Sequence, residues 1–313
     1  MNYAIITAVL FAFSAICNTR VSRGMDQITA NLIRLAIATL ILGIITFIHY
    51  PQSFHAQAMP VLALSGLIGF GVGDIALFLA LSKIGSRLTI LINFCTATII
   101  GAFADTFFLG EFLKSETWLF IFLILTGLTL ALFPFGNGSE KNSERKLGII
   151  SAFVAGLGQG FGATTSRIAD EIAIKDDIVI SGISQAFQRV CAGMLFLFLI
   201  YLIKKKFIKP QTQIQNHKLA PWLILAALFG PVLGVACFQE ALRNMSSGET
   251  MAIVSTSPLI LIPLAYIFEG DIPSKKSIFA SLLAISGVIG ISLNLCINRF
   301  LYLLNPLNVF LNR

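Results

Sequence analysis

Two stretches of this sequence repeat one another. Residues 110–134 and 270–294 run in step, so that Gly110-Glu111 answers to Gly270-Asp271 and Leu125-Thr126-Gly127 to Ile285-Ser286-Gly287. Other pairs fall in the same order: Ser22-Arg23 with Ser166-Arg167, Arg34 with Arg189, Gly69 and Gly73 with Gly230 and Gly234, Ala80-Leu81 with Ala241-Leu242. Each half carries five long apolar segments. An odd number of crossings forces the second copy into a bilayer upside down relative to the first. Inverted copies of this kind build alternating-access transporters, with a solute site between the halves.

Composition makes lipid the main solvent. The chain is 56% hydrophobic and 12% charged, with a mean hydropathy of +0.86, against roughly 25% charged residues in a soluble domain. A helix needs about 20 apolar residues to cross the hydrocarbon core. Spans are predicted near 3–20, 28–49, 59–81, 87–109, 116–134, 147–167, 178–203, 219–242, 248–268 and 276–296. Unpaired backbone is costly in lipid, so each span should be helical. The expected fold is an all-α membrane protein of ten transmembrane helices, arranged as two inverted five-helix repeats. The first repeat covers 1–134 and the second 147–296, with a linker at 135–146 and a tail at 297–313. The tail, apolar but broken by Asn305-Pro306, either lies along the membrane surface or is disordered. Met1-Asn2-Tyr3 lacks the basic region of a signal peptide, so the first span should stay in the mature protein. Trp118 and Trp222 fall at span starts, where indole rings prefer the interface.

The net charge of +7 does not point to nucleic acid. Lysines and arginines gather in short odd-numbered loops, with Lys204, Lys205, Lys206 and Lys209 the densest run. The positive-inside rule puts those loops in the cytoplasm and both termini outside. The five cysteines lie within apolar segments without paired spacing and read as small core residues. His49, His55 and His217 sit near loops with no metal-ligand spacing, and no nucleophile–base pair stands out. An intramembrane enzyme is therefore disfavoured, and no metal or other cofactor is expected. A receptor-like membrane protein is disfavoured too, since it needs no duplicated half-sites. The runs Gly156, Gly158, Gly160, Gly162 and Gly66, Gly69, Gly71, Gly73 fit close helix packing, and no phosphate-binding loop is present. Energy would come from a solute gradient, an ion gradient or facilitated exchange.

Polar groups inside spans mark the candidate site, because a charge at mid-membrane costs about 2.5–3.5 kcal/mol. Arg34 and Asp74 fall at similar depth in the second and third spans. They are expected to pair or to share a polar cavity, as a substrate contact, a gate or a structural ion pair. Gln185, Gln188 and Arg189 share one helix face. Arg189 is the repeat partner of Arg34, but Val235 stands where Asp74 would have its counterpart. Arg189 is thus the better candidate for an anionic group such as a carboxylate. The alternatives are neutralisation by Glu240 and snorkelling to the interface. On the fourth span Asn93 and Thr96 follow helical spacing; Ser257 on the ninth holds the repeat position of Thr96, with Ser255 beside it and Pro258 next, where the proline frees a backbone carbonyl. Gln159 and Gln239 add neutral hydrogen-bonding groups. Each of these neutral groups alone reads as interhelical glue; together they are the candidate cavity. Asp105, close before Glu111, is expected at the interface, with a proton site as the alternative.

The segment Ala80-Leu81-Ser82-Lys83-Ile84-Gly85-Ser86, followed by Leu109-Gly110-Glu111, resembles the EamA-type repeat of the drug/metabolite transporter superfamily. The second half is similar, with Ala241-Leu242, Pro258 and Gly270-Asp271. One departure is Thr98 near the place of the first half's proline. The resemblance implies a ten-helix transporter of small metabolites in the cell membrane, often an exporter of amino acids or related solutes. It implies a cavity lined mainly by the third, fourth, eighth and ninth helices, with help from the first and sixth. It also implies cytoplasmic termini, opposite to the charge count.

Overall fold

The structure, a computed structural model, describes residues 1–22, 25–132, 142–207, 219–257, 259–260, 278–280, 282–291 and 293. The expected linker largely, and the tail, Pro258, Cys296 and His217 entirely, lie outside these residues. The helices are α1 (Asn2–Ser22), α2 (Gln27–His49), α3 (Ala58–Gly66), α4 (Asp74–Leu109), α5 (Ser115–Leu132), α6 (Asn142–Lys175), α7 (Gly182–Phe207), α8 (Ala220–Ala227), α9 (Leu233–Leu242) and α10 (Ser247–Val254). Residues 278–280 and 282–291 are helical too, and no strand occurs among the described residues. Among the described residues, six stretches are long and apolar enough to cross a membrane: Ile28–His49, Ala58–Leu81, Leu88–Leu109, Ser143–Lys175, Gly182–Lys205 and Ala220–Leu242. Asn2–Asn18, Ser115–Leu130 and Ile278–Ile291 are shorter apolar helices.

Local chemistry sets the ends. Asp26 caps α2 by accepting the Thr29 N–H at 3.2 Å. Ser246 and Glu249 form a capping box at the start of α10. Gly110 stops α4 in the left-handed region, with φ of 68° and its N–H donating to the Asp105 carbonyl; a side chain is disfavoured there.

Two spans are interrupted at matching places. Leu67–Gly73, between α3 and α4, and Leu228–Val232, between α8 and α9, are π-helical. The first carries Gly69, Gly71 and Gly73, and the second holds Pro231, which has no N–H for the ladder. Of the repeat-matched glycines, Gly69 and Gly73 lie in the first turn and Gly230 in the second, while Gly234 falls two residues beyond it in α9.

α4 holds two antiparallel passes. α6 touches both ends of this run at one level. Gly158 packs on Gly73, while Gly156 packs on Asn93 and Thr96. A straight helix would put Gly73 and Thr96 about 35 Å apart, so the chain reverses between Leu81 and Leu88. Further along α6, Ser166 bonds Ser65 at 2.8 Å, while Arg167 reaches Asp105 at 2.6 Å. The sequence numbers fall on one pass and rise on the other.

The two halves run in opposite senses. Ala4, at the start of α1, shares a core with Ala241 and Met245. At that same end of the bundle α6 finishes, with Arg167 donating to the Leu242 carbonyl. We call this end A. The halves also exchange partners. α1 lies antiparallel to α8 and α9, with Thr7 and Ser14 donating to the Gly234 and Ala226 carbonyls. α6 lies antiparallel to α3, and α5 lies antiparallel to the helical residues 282–291 through Gly127–Ala284 and Gly287–Ile124. Little apolar driving force operates between helices in lipid, so close backbone approach takes its place. A Cβ on Gly156 would sit 2.5 Å from the Thr96 Cβ, and one on Gly66 would sit 2.0 Å from the Arg189 carbonyl oxygen. Phe47, Phe103, Phe107, Phe122 and Phe279 cover the outside.

Candidate functional site

Among the described residues, four charged groups are built between the helices. The first joins α2 to α4. Arg34 Nη2 lies 3.2 Å from Asp74 Oδ2, and Asn31 donates to the same oxygen at 3.1 Å. Both Asn31 and Asp74 are buried. Asp74 follows directly on the π-helical turn, so the break in the ladder sets where this carboxylate points.

The second lies on α7, where one turn carries three polar side chains with different fates. Gln185 donates to Asp170 Oδ1 at 2.8 Å and to the Ile180 carbonyl at 3.2 Å. Gln188 makes only long bonds, 3.5 Å to the Ser53 carbonyl and 3.4 Å to Ser184, and its Oε1 has no partner. Arg189 is buried against α3 and α6, 2% exposed, with Nε and Nη1 both unpartnered. Its guanidinium stands 5.4 Å over the Phe70 ring. It does not snorkel. Nor does Glu240 neutralise it, for Glu240 accepts from Arg243 at 3.0 Å and from the Gly182 N–H at 3.2 Å.

The neutral candidates are split. Asn93 and Thr96 are buried on the second pass of α4, with Asn93 Oδ1 unpartnered. Gln239 on α9 is fully buried with neither amide atom bonded. Gln159 is half-buried on α6. Ser255 and Ser257 donate to the Ala252 and Val254 carbonyls of their own chain turn, at 2.6 and 2.5 Å. Those hydroxyl protons are spent locally. Pro258 is outside the described residues.

Sequence reasoning missed the densest group, at end A. Asp105 is buried at this end, 1% exposed. Its carboxylate accepts from Arg167 Nη1 at 2.6 Å, the Ser247 N–H at 2.5 Å, Ser247 Oγ at 2.8 Å and Thr164 Oγ1 at 2.7 Å. Arg167 also grips Glu111 through two bonds of 2.7 Å. This clasp ties α4 and the residue after its glycine cap to α6, α9 and α10, across the two halves. Glu111 explains itself here: Gly110 turns the chain and Glu111 meets the arginine. The available signal was that Gly110-Glu111 and Ser166-Arg167 are both repeat-matched pairs ending at one membrane face. A neighbouring group adds Arg243, 3.4 Å from Asp170 and 3.0 Å from Glu240. Over the clasp lies an open cavity of about 460 Å³, lined among others by Glu111, Lys114, Thr117, Arg167, Arg243 and Glu249.

Paired and unpaired charges inside helices with apolar exteriors define a multi-pass membrane protein whose working surface is internal. Over residues 1–133 and again over 146–293 the chain matches the EamA-like transporter family. It belongs to that family, and so is a membrane transporter of the drug/metabolite type, with a small-molecule solute and a lipid surround. No curated protein matches the chain. A solved structure described only as "Crystal structure of protein" is similar over 93% of this chain and 95% of its own, at 16% identity and a TM-score of 0.73. That likeness is one of fold.

Proposed function

We propose that this protein is a secondary transporter of the cell membrane (plasma or inner) that moves a small metabolite by alternating access. Ten spans form two inverted five-helix repeats, and the solute occupies a cavity between them. The proposed lining is Arg34, Asp74, Asn93, Thr96, Gln159, Gln185, Gln188, Arg189, Gln239, Ser255, Ser257 and Pro258. The observation that carries this reading is the placing of buried, under-bonded polar atoms of Asn93, Gln188, Arg189 and Gln239 on helices of both halves. Such atoms are costly in a dry interior and suit a wet or ligand-filled one.

The clasp supplies the moving part. With Arg167 holding Asp105 and Glu111, end A is tied across the repeats, which suits a state closed at this end. Opening it would part α4 from α6, and the π-helical turns at Leu67–Gly73 and Leu228–Val232 are the natural places to bend. The proposed cargo is an amphipathic solute, either an amino acid or a related compound without the ammonium group, moved outward. Purified protein in vesicles, loaded with candidate metabolites, tests this. Solute-specific flux above empty vesicles is expected; chemical turnover without flux, or neither, would overturn it.

A further inference from the structure

Among the described residues, the interior arginines pair off with one exception. Arg34 has Asp74 at 3.2 Å, Arg167 has Asp105 and Glu111, and Arg243 has Asp170 and Glu240. Arg189 has no carboxylate within ion-pair distance, and two of its three nitrogens are buried with no hydrogen-bond partner. Arginine keeps its proton in proteins, so the charge cannot be shed. A lone cation packed between α3, α6 and α7 is what a transporter with an anionic cargo would keep.

The surroundings are shaped for the guanidinium's tip. A Cβ on Gly69 would lie 3.3 Å from Nη2 and one on Gly162 would lie 3.4 Å from it. The two glycines, one from each half, clear the space beside that nitrogen. On the other side stands Phe70, which shares an apolar cluster with Val190 and Val235. A single unmatched positive charge calls for a single negative one. A planar carboxylate fits the fork of a guanidinium, and the apolar neighbours suit a hydrocarbon body. A zwitterion would bring an ammonium group as well, and Asp74, Asp105 and Asp170 are already taken by cations, while Glu249 accepts from the Ser246 N–H and hydroxyl of its own capping box.

Resting on the transporter reading above, we infer that Arg189 is the anion-binding element of the cavity and that the cargo is an apolar monocarboxylate rather than a zwitterion. Gly69 and Gly162 leave beside its Nη2 the room that a Cβ would take.

Matched probes test this on the full-length protein. 3-Phenylpropionate, 3-phenylpropionamide and phenylalanine form one set; 4-methylpentanoate, its amide and leucine form another. Thermal protection of the detergent-purified protein is read alongside flux in vesicles. The carboxylate of a set should act at a concentration at least tenfold below its amide and its amino acid. That preference should fall to about one in Arg189→Gln. Gly69→Ala, which crowds Nη2 but keeps the charge, should weaken carboxylate binding severalfold with little change in the unliganded melting temperature; it carries the test should Arg189→Gln fail to fold. Equal action of acid and amide on the wild type, or an unchanged preference in both variants, would overturn the inference. Flux of a neutral or zwitterionic solute with no carboxylate effect would overturn it while leaving the transporter reading in place. Absence of flux for every solute would overturn both.

Discussion

Asp105→Asn should be the most damaging isosteric change in the protein. The carboxylate is 1% exposed and holds four donors from α6 and α10. An amide can accept through only one oxygen, and its NH2 would face donors rather than acceptors. Arg167 would lose one of its two counter-ions. Removing one partner of a buried pair costs about 3–5 kcal/mol. Glu111 still faces the guanidinium at 2.7 Å, so the lower end, about 3 kcal/mol, applies. Glu111→Gln is the internal control. Its side chain is 43% exposed, and partly solvated pairs are worth about 1 kcal/mol or less. Unfolding in mixed micelles by SDS titration gives both values. Asp105→Asn should lose about three times as much stability as Glu111→Gln. Equal losses, or an Asp105→Asn loss under 1 kcal/mol, would show that the clasp does not hold the halves together.

Close packing should be equally sensitive. Gly156→Ala puts a methyl 2.5 Å from the Thr96 Cβ and 2.7 Å from the Asn93 carbonyl oxygen, at a cost of about 1–3 kcal/mol, read as lower folded yield and melting temperature. Asp74→Asn should destabilise more than the double change Arg34→Gln, Asp74→Asn adds up to, since the second step removes the stranded charge; additivity in the same unfolding assay would refute the coupling. At the start of α2, partial burial raises the Asp26 carboxyl, but the hydrogen bond from Lys204 and those from Thr29 outweigh it and hold it below the ordinary aspartate value. A carboxyl so depressed stabilises the fold above its unfolded pKa of about 3.9 and loses that contribution as pH falls through the folded value. Asp26→Asn should therefore flatten the loss of stability as pH falls below about 5, measured as melting temperature against pH.

The helices were legible because each apolar run is as long as a bilayer is thick. Ile28–His49 and Ala220–Leu242 are found within a few residues of the expected spans. Duplication made the family legible, since Gly110-Glu111 and Gly270-Asp271 recur in order. Arg34 and Asp74 could be brought together because depth is countable along a helix. Rotation about the axis is not countable in the same way. Gln185 and Arg189 share a face by spacing, yet among the described residues one meets Asp170 and the other meets no acid, a difference set by how α6 crosses α7. The clasp was hidden for the same reason. Asp105 lies near a helix end, where sequence suggests water, but Ser247 and Thr164 close over it. The π-helical turns also escaped notice, because glycines at Gly69, Gly71 and Gly73 read equally as packing residues.

The central claim is that the halves move against each other across end A while solute passes between them. Glu111→Cys with Arg167→Cys places one thiol on each half at the clasp, to be joined by a reducible bifunctional reagent in protein reconstituted into vesicles. Flux of whichever solute the unlinked double variant carries should stop on linking and return on reduction. Undiminished flux with the thiols fully joined would contradict the account.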